Sequence, residues 1–469
     1  MYTNLFKLCG FSQEEINEQK HRIEKTLKII GSDTKEMIAK AEKNVQANFD
    51  CSLEGIRMLL RVLMMELMDA VLSGEEYEKR VYYNWPGLSP LAQAIIVAAR
   101  GTNVYGSVAK QYLWMTLGNI FDTLDELLDL GELIGQTAGR AHCSEYQAYT
   151  AFYERKILPV PTIVVNCGWC CDQGAEVEEL CRRLYGYDVT YLDGTNDWEW
   201  GSWPNMDERA IEYNANSIKT SIARVKESTG LDITAEIYKI ALGEVAQITF
   251  GHKTLIDMVS KADPQPISQG DVGLGKLIQG AGTRYPKEVI KGINTLIRET
   301  KKRIDAGIGV VPKGAPRVYC QTRVLVDQKP MRAIESLGIA IPRMFVDDVH
   351  PYEAQPSSYP DDHWKALAEF CFRKPQMSSA EGVLRYWEWV ANDQKVDGII
   401  MMHPISCRPF CSPTFMGKDY LEKKTGLPIL LVEMDGYDTR NYSAGQIKTR
   451  IESFAEVLKA NKKMASESN

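Results

Sequence analysis

This sequence of 469 residues lacks a net positive charge and long apolar runs, and it contains few histidines. Its net charge of −7 at pH 7 argues against a general nucleic-acid binder, because a phosphate backbone requires a basic face. No apolar run approaches the ~20 residues of a membrane span, and the start lacks the parts of a signal peptide. Six histidines without a cluster give a zinc enzyme little support. These absences predict a cytoplasmic protein that binds neither nucleic acid nor membrane.

The eleven cysteines are too sparse for a disulfide scaffold in a chain of this length. In a reducing compartment, such thiols indicate metal binding or catalysis at a few positions and burial at the others. The cysteines are therefore the first residues to place on the predicted elements.

The first cysteine group follows a predicted strand, Thr162–Val165. Cys167, Cys170 and Cys171 lie in the polar turn after it, and a helical pattern then runs to Gly186. Ligand sites in open α/β sheets favour this position, beyond the carboxyl ends of the strands. The positive end of the helix dipole is expected to lower the pKa of a thiol there and to favour metal binding. The alternative is that the three cysteines act as small buried hydrophobic residues.

A second group follows the predicted strand Gly398–Met402. Cys407 and Cys411 come after it, with Ser406 before the first and Arg408 beside it. An arginine there is expected to stabilise a thiolate or an anionic ligand. His403, at the strand end, is more often a structural hydrogen-bonding residue than a ligand.

Two such α/β units could face each other across a cleft, with Cys143 as a third thiol. Thiols delivered singly from distant places do not resemble a zinc ribbon, which needs paired knuckles, or the close spacing of a ferredoxin. They suit a cluster that the fold itself holds, with one metal position open.

The apolar pattern predicts an α/β fold of two Rossmann-like parallel-sheet domains, with an N-terminal helical region and a helical insert between the sheets. The predicted parts are residues 1–85 (helical), 86–204 (first α/β domain), 205–312 (helical connector) and 313–469 (second α/β domain). Residues 270–276 imitate a phosphate loop, but Leu277 replaces the required Ser or Thr, and a loop joining helices is favoured. The predicted strands are Thr162–Val165, Val189–Leu192, Arg317–Val326, Ile339–Phe345, Gly398–Met402 and Ile429–Glu433.

From about Tyr83 to its end, the chain resembles the family of 2-hydroxyacyl-CoA dehydratase subunits (2-hydroxyglutaryl-CoA dehydratase D-component-like) and the related subunits of ATP-dependent benzoyl-CoA reductase. No single motif is specific, but the ordered set is. The resemblance rests on the Cys143 segment, Pro161–Val165, Cys171-Asp172, Ser406-Cys407-Arg408-Pro409 and the closing segment from Gly426 to Glu452.

By position, the resemblance implies that Cys143, Cys171 and Cys407 hold one [4Fe–4S] cluster and leave one iron free for a non-protein ligand. Cys170, Cys167 and Cys411 are the substitutes, and these extra thiols also leave room for the double-cubane cluster of one branch of the family. Ser406 and Arg408 would be neighbours of the cluster. The remaining thiols are expected to be structural: Cys9, Cys51, Cys181, Cys320 and Cys371.

The implied activity is the radical, oxygen-sensitive elimination of water from a 2-hydroxyacyl-CoA through a ketyl radical, giving an enoyl-CoA. The implied partners are a homologous second subunit and an ATP-hydrolysing iron–sulfur activator that injects one electron. The alternatives are a benzoyl-CoA-type reductase subunit, a double-cubane reductase, and a non-catalytic scaffold or electron carrier.

Overall fold

The computed structural model describes residues 1–84, 89–135, 143–169, 171–195, 199–321, 326–344, 355–374, 379–403, 406–435, 438, 440 and 444–467. Cys170, one of the substitute ligands, therefore lies outside the described residues, as does the side chain of Arg408. No helix among the described residues is long and apolar enough to cross a membrane.

The N-terminal region is a bundle of helices packed onto the first sheet. Its last and longest helix, α5, crosses a connector helix so closely that a Cβ on Gly55 would lie 2.6 Å from the backbone of Leu296. One buried apolar cluster runs from this bundle through the first sheet into the connector. The helices of the bundle are α1 (Thr3–Leu8), α2 (Gln13–Glu18), α3 (Lys20–Ile29), α4 (Lys35–Asn48) and α5 (Glu54–Glu76).

The first sheet has four parallel strands in the order β2-β1-β3-β4. Its strands are β1 (Lys79–Tyr83), β2 (Val104–Ser107), β3 (Ile163–Cys167) and β4 (Asp188–Leu192). Its helices are α6 (Ser89–Ala99), α7 (Ala109–Thr116, continued by a π-turn, Leu117–Phe121), α8 (Leu124–Leu133), α9 (Ser144–Glu154) and α10 (Asp172–Tyr185).

The connector between the two sheets is helical throughout, as predicted. It consists of α11 (Glu208–Thr229), α12 (Ala235–Lys261), α13 (Gln269–Ala281) and α14 (Pro286–Asp305). The predicted loop at residues 270–276 is wrong, because these residues lie within α13. Their glycines permit close packing: a Cβ on Gly270 would lie 3.0 Å from Gln328, and one on Gly273 would lie 3.1 Å from Met344.

The second sheet also has four parallel strands, in the order β6-β5-β7-β8. Its strands are β5 (Arg317–Gln321), β6 (Ala340–Met344), β7 (Gly398–His403) and β8 (Ile429–Glu433). Its helices are α15 (Lys329–Ser336), α17 (Ala380–Asp393), α18 (Arg408–Thr425) and α19 (Ala444–Glu467). The intervening helix α16 (His363–Arg373) packs instead against α11 and joins the buried cluster of the first sheet and the connector. Helices α15 and α19 pack on one face of the sheet, and α17 and α18 pack on the other.

The predicted fold class is confirmed: two parallel sheets carry helices, with helical segments before and between them. All six predicted strands are present; of the strand predicted over Arg317–Val326, the structure describes Arg317–Gln321, and residues 322–325 lie outside the described residues. Strands β1 and β2 were not predicted. Strand β1 shows that residues 1–85 are not entirely helical, and the first sheet begins on the N-terminal side of the predicted boundary.

Both sheets reverse their strand order between their two central strands. In the first sheet, the chain moves outward in one direction from β1 and in the other from β3. In the second sheet, β5 and β7 have the same relation. The crevice at the carboxyl ends of such a strand pair is the usual ligand position in open α/β sheets. Cys171 follows β3 and Cys407 follows β7, so each lies at the switch point of its own sheet.

A candidate iron–sulfur site between the two sheets

Cys143, Cys171 and Cys407 each occupy the residue immediately before a helix. They are the N-caps of α9, α10 and α18, and each has an extended backbone. The carbonyl of Cys143 accepts the N–H of Tyr146 at 3.0 Å, and the carbonyl of Cys407 accepts the N–H of Cys411 at 2.9 Å. The positive ends of three helices are thus placed beside three thiols, an arrangement that favours an anionic group.

The three thiols are buried and lie close to one another. Cys143 is 4% exposed, Cys407 is 6% exposed and Cys171 is 8% exposed. Burial raises the pKa of Cys143 well above its usual value, and Cys407 and Cys171 are among the neighbours that raise it further. Burial, followed by the proximity of Cys407, raises the pKa of Cys171 to about 12. The structure therefore unites the cysteines predicted from the two α/β domains.

The expected low pKa is wrong for Cys171, because burial outweighs the lowering that the backbone N–H of Gly174, at the start of α10, contributes. Burial removes the thiolate from water, and the neighbouring thiols repel a second negative charge, so the neutral thiol is favoured. A bound cation reverses this balance, because coordination deprotonates a thiol outright. Cys143 and Cys171 are thus suited to thiolates only when positive metal ions lie beside them.

Tyr146 is a residue of the site that the sequence did not single out. It lies on α9, three residues after Cys143, and its hydroxyl forms a hydrogen bond with Cys171 that favours the thiolate. The backbone N–H of Gly174 also favours this thiolate. A Cβ on Gly174 would lie 2.5 Å from the Tyr146 oxygen, so glycine allows the close approach of α9 and α10.

The site lies where the two sheet domains meet. Ser144, next to Cys143, donates its hydroxyl hydrogen to Asp435 Oδ2 at 2.7 Å, just beyond the end of β8. A second contact joins the domains where the N–H of Gly201 donates to Glu381 Oε2 at 2.7 Å. These bonds link the start of α9 to the second sheet and the end of the first domain to the start of α17.

The other cysteines have separate surroundings. Cys167 is buried at the end of β3, close enough to raise the pKa of Cys171. Cys411 lies one turn after Cys407, partly exposed, with its sulfur 3.5 Å from His403 Nε2. Among the thiols predicted to be structural, Cys320 lies in the core on the α15 and α19 side of the second sheet. Cys371 donates to the carbonyl of Leu367 at 2.9 Å.

No group of three or more His, Cys, Asp or Glu side chains within the described ranges is arranged to hold a single metal ion. A cubane cluster makes a different demand, because each cysteine binds a separate iron of the cluster. Three buried thiols at separate helix starts are the residue type that such a cluster requires. Arg408 begins α18 directly after Cys407, but its predicted contact with a thiolate lies outside the described part of the chain.

The switch point of the first sheet is occupied by a buried ion pair. Lys110 Nζ lies 2.8 Å from Glu178 Oε2, and each side chain is 1% exposed. Asn84, directly after β1, donates to the same carboxylate at 2.5 Å, and Tyr187 donates to its other oxygen. The Lys110 ammonium also lies 5.0 Å from the centre of the Tyr153 ring. The protein thus supplies the partners of these charged groups.

Comparison with known proteins finds relatives that are named as subunits of acyl-CoA enzymes. The family model described as 2-hydroxyglutaryl-CoA dehydratase, D-component, matches residues 125–458. (R)-2-hydroxyglutaryl-CoA dehydratase subunit alpha of Acidaminococcus fermentans is 19% identical over 317 residues, which cover 66% of this chain and 63% of that subunit. Lactoyl-CoA dehydratase subunit alpha of Anaerotignum propionicum is 21% identical over 316 residues, which cover 65% of this chain and 71% of that subunit.

A shorter match involves a reductase. One of the subunits of benzoyl-CoA reductase from Thauera aromatica is 26% identical over 99 residues, which cover 21% of this chain and 23% of the reductase polypeptide. The chain therefore spans less than two thirds of the length of two of these relatives.

Proposed function

The chain belongs to the 2-hydroxyglutaryl-CoA dehydratase D-component family, and from this premise we propose that it is the iron–sulfur subunit of a radical 2-hydroxyacyl-CoA dehydratase. The proposed reaction is the reductive elimination of water from a 2-hydroxyacyl-CoA to give an enoyl-CoA. One observation carries the proposal: Cys143, Cys171 and Cys407 are buried together, each at the start of a helix.

The three cysteines are proposed to hold one [4Fe–4S] cluster. When bound, such a cluster would supply single electrons at low potential and, at an iron without a protein ligand, a Lewis acid for the oxygen of the substrate. The raised pKa values of Cys143 and Cys171 are consistent with thiols that become anionic only beside cations.

The remaining residues of the site position and shield these ligands. Tyr146 holds the Cys171 sulfur by a hydrogen bond, and the bond between Ser144 and Asp435 fixes the start of α9 against the second sheet. Burial of the three thiols excludes water, which strengthens every charge interaction at the site. Because its relatives are named as subunits, we expect a second subunit as partner. The family resemblance further implies that this subunit is homologous and that a separate ATP-dependent activator supplies the electron.

A benzoyl-CoA-type reductase subunit is the second candidate, favoured by the short match to the reductase. A double-cubane cluster is the third, because Cys167 and Cys411 lie close to the proposed ligands Cys171 and Cys407.

The test is turnover by the anaerobically purified chain, with any subunit that co-purifies and with an activator, ATP and reductant. We expect enoyl-CoA from (R)-2-hydroxyglutaryl-CoA or (R)-lactoyl-CoA and no reduction of benzoyl-CoA. The reverse result would establish the reductase candidate. Iron-loaded protein that acts on neither class of thioester contradicts both.

A further inference from the structure

The side chain of Gln321 is buried without a hydrogen-bond partner. Gln321 is the last residue of β5 and is 1% exposed, and neither its Oε1 nor its Nε2 has a partner. It is the only side chain in the described ranges with two such atoms. An unsatisfied buried polar atom costs about 1–3 kcal/mol, so an amide that lacks both partners opposes folding unless a ligand supplies them.

The position of Gln321 directs it toward the proposed site. Side chains alternate along a strand, so Gln321 and Tyr319 share one face of the second sheet. Tyr319 lies in the same buried cluster as Cys407 and Phe410, and Gln321 is in register with Met401 of that cluster. The amide therefore lies at the switch point between β5 and β7, on the face where the helix begun by Cys407 packs.

A hydroxyl without a partner accompanies this amide. Ser406, next to Cys407, is 3% exposed, and its Oγ has no hydrogen-bond partner. Neither residue is titratable in the accessible pH range, so neither can relieve the lack of a partner by binding or releasing a proton. The carboxyl end of the second sheet thus holds neutral donors and acceptors that the protein leaves unused.

We propose that the Gln321 amide hydrogen-bonds the 2-hydroxyacyl group of the substrate and makes the site select hydroxylated thioesters. This inference rests on the proposed function. A carboxamide presents one donor and one acceptor side by side, and a 2-hydroxyacyl thioester presents a carbonyl acceptor and a hydroxyl donor on adjacent carbons. The Gln321 Nε2 hydrogen is donated to the carbonyl oxygen, and Oε1 accepts the hydroxyl hydrogen. An acyl or aroyl thioester without the hydroxyl leaves Oε1 unpaired, which is how polar sites reject such analogues.

The test compares binding by wild type and Q321M, which keeps the length of the side chain and removes both polar atoms. Dissociation constants are measured by anaerobic calorimetry for two matched pairs of ligands, (R)-2-hydroxyglutaryl-CoA with glutaryl-CoA and (R)-lactoyl-CoA with propionyl-CoA. Full-length protein is used with any subunit that co-purifies. We expect wild type to prefer the hydroxylated member of at least one pair by roughly tenfold or more, and Q321M to lose that preference.

Gln265→Met provides the matched control. The Gln265 amide is also buried, but it donates to Glu335 Oε1 at 2.7 Å and accepts the Ile341 N–H at 2.7 Å. Q265M should unfold at a lower urea concentration than wild type and keep the ligand preference. Q321M should unfold at the same or a higher urea concentration, because it removes unpaired atoms only.

The outcomes separate the two claims. A Q321M protein that keeps the wild-type preference overturns the role of Gln321 and leaves the proposed function standing. Equal affinity of wild type for both members of each ligand pair would likewise overturn the role of Gln321 and leave the proposed function standing. A wild type that binds no thioester while holding its iron overturns the proposed function and this inference with it. If Q321M does not fold, Q321L is measured instead, and failure of both to fold would show that the amide is structural.

Discussion

At the carboxyl end of the first sheet, the buried charges of Lys110 and Glu178 pair with each other, whereas at the same end of the second sheet Gln321 and Ser406 lack partners. In the first region, Asn84 and Asn166 each leave the amide oxygen unpaired, but their amide nitrogens donate to Glu178 and to the carbonyl of Gly174. Both regions lie at the switch point of a parallel sheet with the same strand order. The same topology therefore holds a buried ion pair in one half and, in the other half, an amide without a partner at either polar atom.

The largest expected effect on stability comes from breaking the buried ion pair between Lys110 and Glu178. Lys110→Met leaves the Glu178 carboxylate buried without its cation and should lower the free energy of unfolding by about 3–5 kcal/mol, measured by urea denaturation. Adding Glu178→Gln removes the unpaired charge and should recover part of the loss. Lys301→Met breaks an exposed pair with Asp305 and should cost less than about 1 kcal/mol. A loss from Lys110→Met as small as that of this control would show that the first network is not a structural element.

A buried carboxyl can also relieve an unpaired atom by binding a proton. Burial and then Asp69 raise the pKa of Glu66 to about 7, above the ordinary 4.5, and one of its oxygens has no partner. Between these values the folded state holds a proton that the unfolded state has released, so the contribution of Glu66 to stability falls as pH rises from about 4.5 to about 7.

Glu66→Gln should remove that fall. The variant and wild type should have similar unfolding free energies at acid pH, and the variant should be more stable by about 1–3 kcal/mol above the folded pKa. Urea denaturation at several pH values measures the difference, with the exposed Glu36→Gln as control. A pH-independent difference between wild type and Glu66→Gln would contradict the raised pKa.

The smallest effect concerns the hydrogen bond to the Cys171 sulfur. Tyr146→Phe should leave the iron content unchanged and move the reduction potential of the cluster to a more negative value, since hydrogen bonds to sulfur stabilise the reduced cluster. A redox titration followed by electron paramagnetic resonance measures the shift. Tyr149→Phe, one turn further along α9, removes a hydroxyl that donates to Glu145 and serves as control. Equal reduction potentials in Tyr146→Phe and Tyr149→Phe would show that the Tyr146 hydroxyl does not act on the proposed cluster.

The second sheet was predictable because each of its strands contains at least three consecutive apolar residues, the longest runs being Ile399–Met402 in β7 and Ile429–Val432 in β8. In the first sheet, strands β3 and β4 were predicted, and strands β1 and β2 were not. Strand β1 begins with Lys79 and Arg80, and β2 has four residues and contains Gly106, so neither has a clear strand pattern. Gly106 is there for packing, since a Cβ would lie 2.9 Å from the carbonyl oxygen of Ile95 on α6. Such a tertiary requirement has no local signature.

The assignment of Cys143, Cys171 and Cys407 as cluster ligands stays a prediction from the sequence, whereas the neighbours of these thiols were not predicted. The cysteines could be found because each follows a strand or begins a helix and the family resemblance orders them. Tyr146 reaches Cys171 only through the packing of α9 on α10, which no spacing along the chain reveals. Gln321 had a signal, a polar residue that follows the apolar residues Val318–Cys320 of its strand, but no local pattern indicates that both of its polar atoms lack partners.

Iron and acid-labile sulfide in anaerobically purified protein test the central claim most directly. We expect about four irons and four sulfides per chain in wild type, the content of one cubane cluster, and about twice that content if a double cubane is bound. Cys143→Ala, Cys171→Ala and Cys407→Ala should each lose most of the iron, whereas Cys320→Ala, in the core of the second sheet, should keep it. Full iron content in all three ligand variants, or none in reconstituted wild type, would contradict the account.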